Sequence, residues 1–169
     1  MCCDASAARI LALVVLLAAC ARVGAQVPPQ AWAFEAKSNL YAPPLTADVH
    51  PSPGRETIVG DSEARRLRCI SAAGQQLWEC DGGWKKRLIS AAALSAPLAD
   101  GTRLLAVGNA DGSLTAIDAA TGIVRWQVKA GAVEWGGGLW ADIDGDGAQE
   151  FVLAMLKDGV AAFDAQGGE

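Results

Sequence analysis

The sequence contains a single histidine, His50, and no Gly-x-Ser-x-Gly elbow, so it offers no evident serine nucleophile with a histidine base. It also lacks the ~20 consecutive apolar residues that a membrane-spanning helix needs. Its longest apolar run, ILALVVLLAACA at residues 10–21, is about a dozen residues. Nowhere after that run do apolar residues keep the spacing of a long amphipathic helix. The one short candidate, AAALSAPLA, is interrupted by Pro97. Basic residues are outnumbered 14 to 19, which argues against nucleic acid as a partner, because phosphate binding relies on clustered Lys and Arg. The two dense basic clusters, Arg65-Arg66-Arg68 and Lys85-Lys86-Arg87, read as solvated strand or loop faces. Gly136-Gly137-Gly138 leads into a strand rather than a helix N-terminus, so it lacks anion-binding geometry and suits close approach of an inner strand.

What is present begins with an address. The apolar run after MCCDASAAR fits the core of a secretory signal covering residues 1–25. Two exits are open. Val23-Gly24-Ala25 offers the small residues of an ordinary cleavage site, whereas Leu17-Ala18-Ala19-Cys20 resembles a bacterial lipobox that would lipidate Cys20. The first exit makes the product secreted or periplasmic, and the second ties it to a membrane. Removing residues 1–25 leaves 12 basic and 18 acidic residues, moving the formal net charge from −5 to −6.

Cleavage after Ala25 also leaves only Cys69 and Cys80 of the five cysteines. An exported pair invites a disulfide. RRLRCISAAGQQLWEC reads as a hairpin turning at Ala72–Gly74, and pairing Ile70 with Gln76 sets Cys69 opposite Leu77 and Cys80 opposite Arg66. Side chains alternate faces along a strand, so this register puts the two thiols on opposite faces and no bridge is expected.

The dominant pattern is a repeat of about 47 residues. TADVHPSPGRETIVGDSEARRLRCISAAGQQLWEC (46–80), APLADGTRLLAVGNADGSLTAIDAATGIVRWQV (96–128) and WADIDGDGAQEFVLAMLKDGVAAFDAQGGE (140–169) align. Glu56, Arg103 and Glu150 fall 47 residues apart, Asp111-Gly112 recurs 47 later as Asp158-Gly159, and Trp78 recurs 48 later as Trp126. Each unit holds short β-type runs separated by turn signals, seen in unit two as LISAAALS, RLLAVG, SLTAID and IVRWQV around NADG and DAATG. Four-stranded units of this length are the signature of β-propeller blades. The expected fold is therefore all-β, an incomplete propeller of about three four-stranded antiparallel blades near 46–80, 88–130 and 133–169, following a proline-rich extended lead-in at 26–45. Unit three stops before its last strand, and three blades do not close a ring, so a fragment of a longer chain is expected.

Unit two carries Ala116-x-Asp118-x-x-Thr121-Gly122-x-x-x-Trp126, which resembles the tryptophan-docking motif of pyrroloquinoline-quinone-type propellers. A small alanine leaves room for an indole, Asp and Thr organise a tight turn, and Gly supplies the backbone angle. The resemblance implies a Trp packed between neighbouring blades. Unit one keeps Cys69, Ser71, Gly74 and Trp78 of it, and unit three keeps Asp164 and Gly167. The motif is a packing device, so the quinone itself is not expected.

ADIDGDGAQE, residues 141–150, resembles the calcium loops of FG-GAP and VCBS-type propeller repeats. Asp142, Asp144 and Asp146 occupy positions 1, 3 and 5, Gly147 position 6, the Ala148 carbonyl position 7 and Glu150 position 9. Calcium takes six to eight hard oxygens, and alternate inward carboxylates on a tight loop provide them. An EF-hand is excluded by Leu153 at position 12 and by the helix-poor entry EWGGGLWA. Magnesium suits the loop less well because of its octahedral geometry, and zinc or copper would call for His or Cys. In unit one ADVHPSPGRE aligns with this loop, with His50 and Ser52 in the places of Asp144 and Asp146, so His50 reads as a lost ligand position.

No catalytic constellation stands out. The expected function is an exported, non-catalytic binding or scaffold propeller with a structural calcium loop, meeting a protein or glycan. The alternative is the N-terminal part of a larger exported enzyme, a quinoprotein dehydrogenase or a polysaccharide-active one. If Cys20 is lipidated, the chain is similar to the scaffold lipoprotein of outer-membrane barrel assembly.

Overall fold

A computed structural model describes residues 31–36, 38–157 and 159–169. The expected signal peptide and Cys20 lie outside them. Among the described residues there are eleven strands and no helix. β1 (Leu45–Ala47), β2 (Glu56–Asp61), β3 (Arg66–Ile70) and β4 (Gln76–Cys80) form one antiparallel sheet in chain order. β5 (Ala93–Leu94), β6 (Leu104–Gly108), β7 (Ser113–Asp118) and β8 (Val124–Lys129) form the second in the same way. β9 (Val133–Ala141), β10 (Glu150–Met155) and β11 (Gly159–Phe163) form a three-stranded third sheet. These are three successive blades of a partial β-propeller, the third with three strands among the described residues. LISAAALS shortens to the two-residue β5 plus an isolated bridge from Leu88 to Asn109.

Burial explains the sequence pattern. Sheet two lies between the other two, so every residue of β6 and β7 is buried. Alternate residues then serve opposite cores. Leu105, Val107 and Ile117 join Ile58, Leu67 and Cys69 against sheet one, while Ala106 and Leu114 join Phe151, Leu153 and Phe163 against sheet three. A strand covered on both faces reads as a near-continuous apolar run, which is why LLAVG shows no polar alternation. Sheet three has one covered face and therefore alternates: Phe151 and Leu153 are buried, whereas Leu139 (56%) and Val160 (68%) are exposed.

The tryptophans lock neighbouring sheets. The Trp78 indole N–H donates to the Ala119 carbonyl at 3.2 Å, and that of Trp126 donates to the Ala165 carbonyl at 2.7 Å, each partner lying in the β-turn of the next sheet. The ring faces rest on the turn glycines. A Cβ on Gly122 would stand 2.7 Å from Trp78 Cε3, and one on Gly167 would stand 3.0 Å from Trp126. Those glycines also hold φ of +74° and +88°, so both conformation and space demand glycine. Asp118 builds the turn, its Oδ1 accepting the Ala120 and Thr121 N–H groups while Arg125 pairs with Oδ2.

The register of the first hairpin differs from the sequence expectation. Ile70 does pair with Gln76, but the ladder then shifts, and Cys69 faces Trp78 while Leu67 faces Cys80. Leu77 is the extra residue of a β-bulge, and Arg125 is its counterpart in sheet two. The bulge turns Trp78, Cys80 and Cys69 onto one face, toward sheet two. The thiols are both free and buried, and they sit as diagonal rather than opposed neighbours, too far apart for a disulfide. Burial pushes the Cys69 thiol up to about 12 and the Cys80 thiol up to about 11.

Candidate metal centre

The acidic decapeptide connects β9 to β10, within a blade and between strands. Gly145 and Gly147 take φ of +82° and +91°, which lets the chain reverse twice in a few residues. The aspartates organise that path with their own oxygens. Asp142 Oδ1 accepts the Gly145 N–H at 2.7 Å and its Oδ2 the Gly147 N–H at 3.1 Å. Asp144 Oδ1 accepts the Asp146 N–H at 3.1 Å, and Asp146 Oδ1 accepts the Ala148 N–H at 2.7 Å. Each aspartate thus offers one oxygen to a common centre: the three ligand atoms lie within 4.8 Å of one another, all exposed to solvent. Three mutually repelling carboxylates held so close suit a divalent cation with a large, flexible shell, and water can supply its remaining oxygens.

Glu150 takes a different place. Glu150 lies outside the group of three, and its Oε2 accepts the Ile143 N–H at 3.1 Å, tying the end of the loop to its start. The same tie exists in sheet one, which reveals what Glu150 does for the backbone. Glu56 Oε2 accepts the Val49 N–H at 3.0 Å and the His50 N–H at 3.2 Å, while Oε1 accepts the Ser52 hydroxyl at 2.8 Å. Glu56 is fully buried. Burial raises its pKa, but the hydrogen bonds from Val49, Ser52 and His50 outweigh it, so the carboxyl lies below its ordinary value. His50 Nδ1 accepts the Ser52 N–H at 3.1 Å, a turn contact inside the loop. The 48–55 connection is therefore closed by neutral donors hydrogen-bonded to one buried carboxylate, whereas the 142–149 connection gathers three carboxylates. In sheet two the equivalent Arg103 reaches the Ser95 carbonyl at 3.0 Å and the Asp48 carbonyl of sheet one at 3.4 Å.

These loops share one end of the stack with the docking turns. A cleft of about 550 Å³ runs beside the acidic loop, lined by Asp100, Asp146, Glu150, Asp164 and Gln166. Its counterpart, about 580 Å³, lies between sheets one and two and is lined by Asp48, His50, Arg103 and Asp118. At the opposite end the basic residues partly gather. Arg65, Lys85, Lys86 and Arg87 line a cleft of about 530 Å³ with Glu63, whose carboxylate is 3.7 Å from Arg87. Arg68 does not join them. It is buried, paired with the buried Asp61 at 3.2 Å and with Glu79, so it is a core ion pair rather than a solvated face. Sequence reasoning missed the anchoring glutamate, although the alignment of Glu56 with Glu150 was its visible trace.

The solved structure of BamB from Moraxella catarrhalis superposes with a TM-score of 0.56 at 19% identity, covering 82% of this chain and 37% of that one. A quinohemoprotein alcohol dehydrogenase from Pseudomonas putida HK5 gives 0.54 at 19% identity, covering 80% and 20%, and that from Comamonas testosteroni gives 0.51 at 21% identity, covering 82% and 22%. The chain thus spans about a third of the first and about a fifth of the other two, and at these identities the likeness is one of fold. No curated protein matches the sequence. The family described as outer membrane protein assembly factor BamB matches residues 21–169, most of the sequence, and the chain belongs to that family.

Proposed function

We propose that the chain serves as part of an exported, non-catalytic propeller scaffold that presents its surface to a protein or glycan, with the 141–150 loop fixed by calcium. The observation that carries the calcium reading is the convergence of Asp142, Asp144 and Asp146 oxygens within 4.8 Å on a loop already shaped by its own backbone hydrogen bonds. The Ala148 carbonyl and water complete the shell, and Glu150 holds the loop from its inner end. The scaffold reading is supported by the family described as an outer-membrane assembly factor and by sheets locked to one another through tryptophans. Secretion or periplasmic export follows from residues 1–25, with attachment to a membrane if Cys20 is the processed residue. The second reading, an N-terminal portion of an exported quinoprotein enzyme, is supported by fold likeness to the two alcohol dehydrogenases.

The test is a thermal melt with and without millimolar calcium, the range in which extracellular modules bind. Calcium at 10 times its dissociation constant contributes ~1.4 kcal/mol by mass action. For a chain of this size that corresponds to a rise of roughly 3–6 °C. Asp144→Ala is expected to remove the rise while melting normally without the ion. Equal rises in both proteins, or none in either, would overturn the site.

A further inference from the structure

The repeat breaks at one turn position. Gly112 and Gly159 close the turns after β6 and β10 at φ of +86° and +84°, and the residue 47 places before Gly112 is Arg65, at φ of +55°. The Arg65 N–H donates to the Ser62 carbonyl at 3.2 Å, as the Gly112 N–H donates to that of Asn109 at 3.0 Å, so the turn is the same and the side chain differs. Among the described residues Arg65 is the one non-glycine in the left-handed region. A Cβ there is strained, and such strain gathers at functional sites. What the position gains over glycine is a guanidinium lining the basic cleft.

The other cations of that cleft stand on a pinned segment. Trp84 and Leu88 are buried, and the Trp84 indole N–H donates to the Thr115 hydroxyl of β7 at 2.9 Å. Between these anchors Lys85, Lys86 and Arg87 are exposed, while their backbone is tied on both sides. The Lys85 N–H donates to Asp111 Oδ2 at 3.0 Å. The Lys85, Lys86 and Arg87 carbonyls accept from Arg65, Asn109 and Ala110 at 3.4, 2.8 and 3.2 Å. Arg87 lies over the Tyr41 ring, 5.5 Å from its centroid, with the Glu63 carboxylate 3.7 Å away. We propose that this cleft takes an acidic segment of a partner protein, whose carboxylates pair with Arg65, Lys85, Lys86 and Arg87 and displace Glu63. The scaffold reading enters only in making the partner a protein. Guanidinium groups suit paired carboxylate oxygens, and a backbone already fixed lowers the ordering cost of binding. An extended chain can enter a cleft of about 530 Å³ between two sheets, whereas a flat anionic bilayer would meet the carboxylates of Glu63 and Asp111 beside the same cations. A nucleic acid would need more clustered cations than a chain of net charge −5 gathers here.

The test is fluorescence anisotropy of a labelled peptide of alternating glutamate and serine, set against its glutamine counterpart at low ionic strength. The glutamate peptide is expected to bind, the glutamine peptide is not, and added salt is expected to weaken the binding. Arg65→Gly and Lys86→Gln are each expected to weaken it about 2- to 5-fold, the worth of one surface ion pair, whereas Glu63→Gln strengthens it. Arg55→Gln makes the same charge change in the 48–55 connection at the opposite end and is expected to leave binding unchanged. Arg65→Gly is also expected to melt no lower than the parent, because glycine takes that backbone angle without strain. The calcium melt does not depend on this cleft, so absent peptide binding with the calcium rise intact sinks the cleft alone. No binding, equal binding of the two peptides, equal weakening by Arg55→Gln, or binding to phosphatidylglycerol vesicles in place of the peptide would overturn the proposal.

Discussion

Gly122→Ala reports directly on the contact between Trp78 and the next turn. Gly122 holds φ of +74°, a conformation that costs a residue with a Cβ ~1–2 kcal/mol. Gly101 holds φ of +82° with nothing within 4 Å of its missing Cβ, so Gly101→Ala incurs that cost alone. At Gly122 the new methyl would lie 2.7 Å from Trp78 Cε3, and displacing a well-packed indole adds an overpacking cost of ~1–3 kcal/mol. Trp78 cannot move freely, because it is only 9% exposed and its N–H is held by the Ala119 carbonyl. Urea unfolding gives both stabilities from midpoint and slope. Gly122→Ala is expected to lose ~1–3 kcal/mol more than Gly101→Ala, and that excess should vanish when Trp78→Ala removes the ring. Trp78→Ala by itself is expected to cost ~3–5 kcal/mol. Equal losses at the two glycines, or an excess that survives removal of the indole, would refute the docking argument.

Acid stability should depend on Glu56. Its folded pKa lies below the ordinary 4.5, so its contribution is complete above that value and is lost as pH falls through the folded pKa. Glu56→Gln should therefore be less stable than the parent at neutral pH and lose less on acidification, which pH-dependent melts will show. The thiols should be inert in the native state: with Cys69 near 12 and Cys80 near 11 and both buried, iodoacetamide at pH 8 is expected to label them only on unfolding. Rapid native labelling of either would contradict the packing described for sheet one.

Much of the fold is legible in the sequence because the repeat supplies its own alignment. The strand runs RLLAVG and SLTAID and the turn at Asp118–Gly122 follow from period and turn chemistry, while the docking role of Trp126 follows from the resemblance to the tryptophan-docking motif. The hairpin register was not legible. A bulge at Leu77 leaves no compositional mark, yet one extra residue moves every following side chain to the other face. The place of Trp32 was hidden for a different reason: its apolar segment is only a few residues long and lies near prolines, so nothing in it shows that the indole packs against Gly74 in the turn of sheet one. At the site, the spacing of Asp142, Asp144 and Asp146 foretold their convergence, since alternate residues on a glycine-hinged loop point to one side. Spacing could not reveal that a loop-closing glutamate anchors backbone N–H groups, because that depends on how the chain folds back, as the buried Glu56 demonstrates.

Terbium luminescence tests the calcium loop most directly, because Trp140 lies two residues from Asp142 and can sensitise an ion bound there. Excitation of the indole is expected to give a saturable signal with one ion per chain, displaced by millimolar calcium and lost in Asp142→Asn with Asp146→Asn. An unsaturable signal, or one that survives loss of both carboxylates, would show that the three aspartates do not form an ion site.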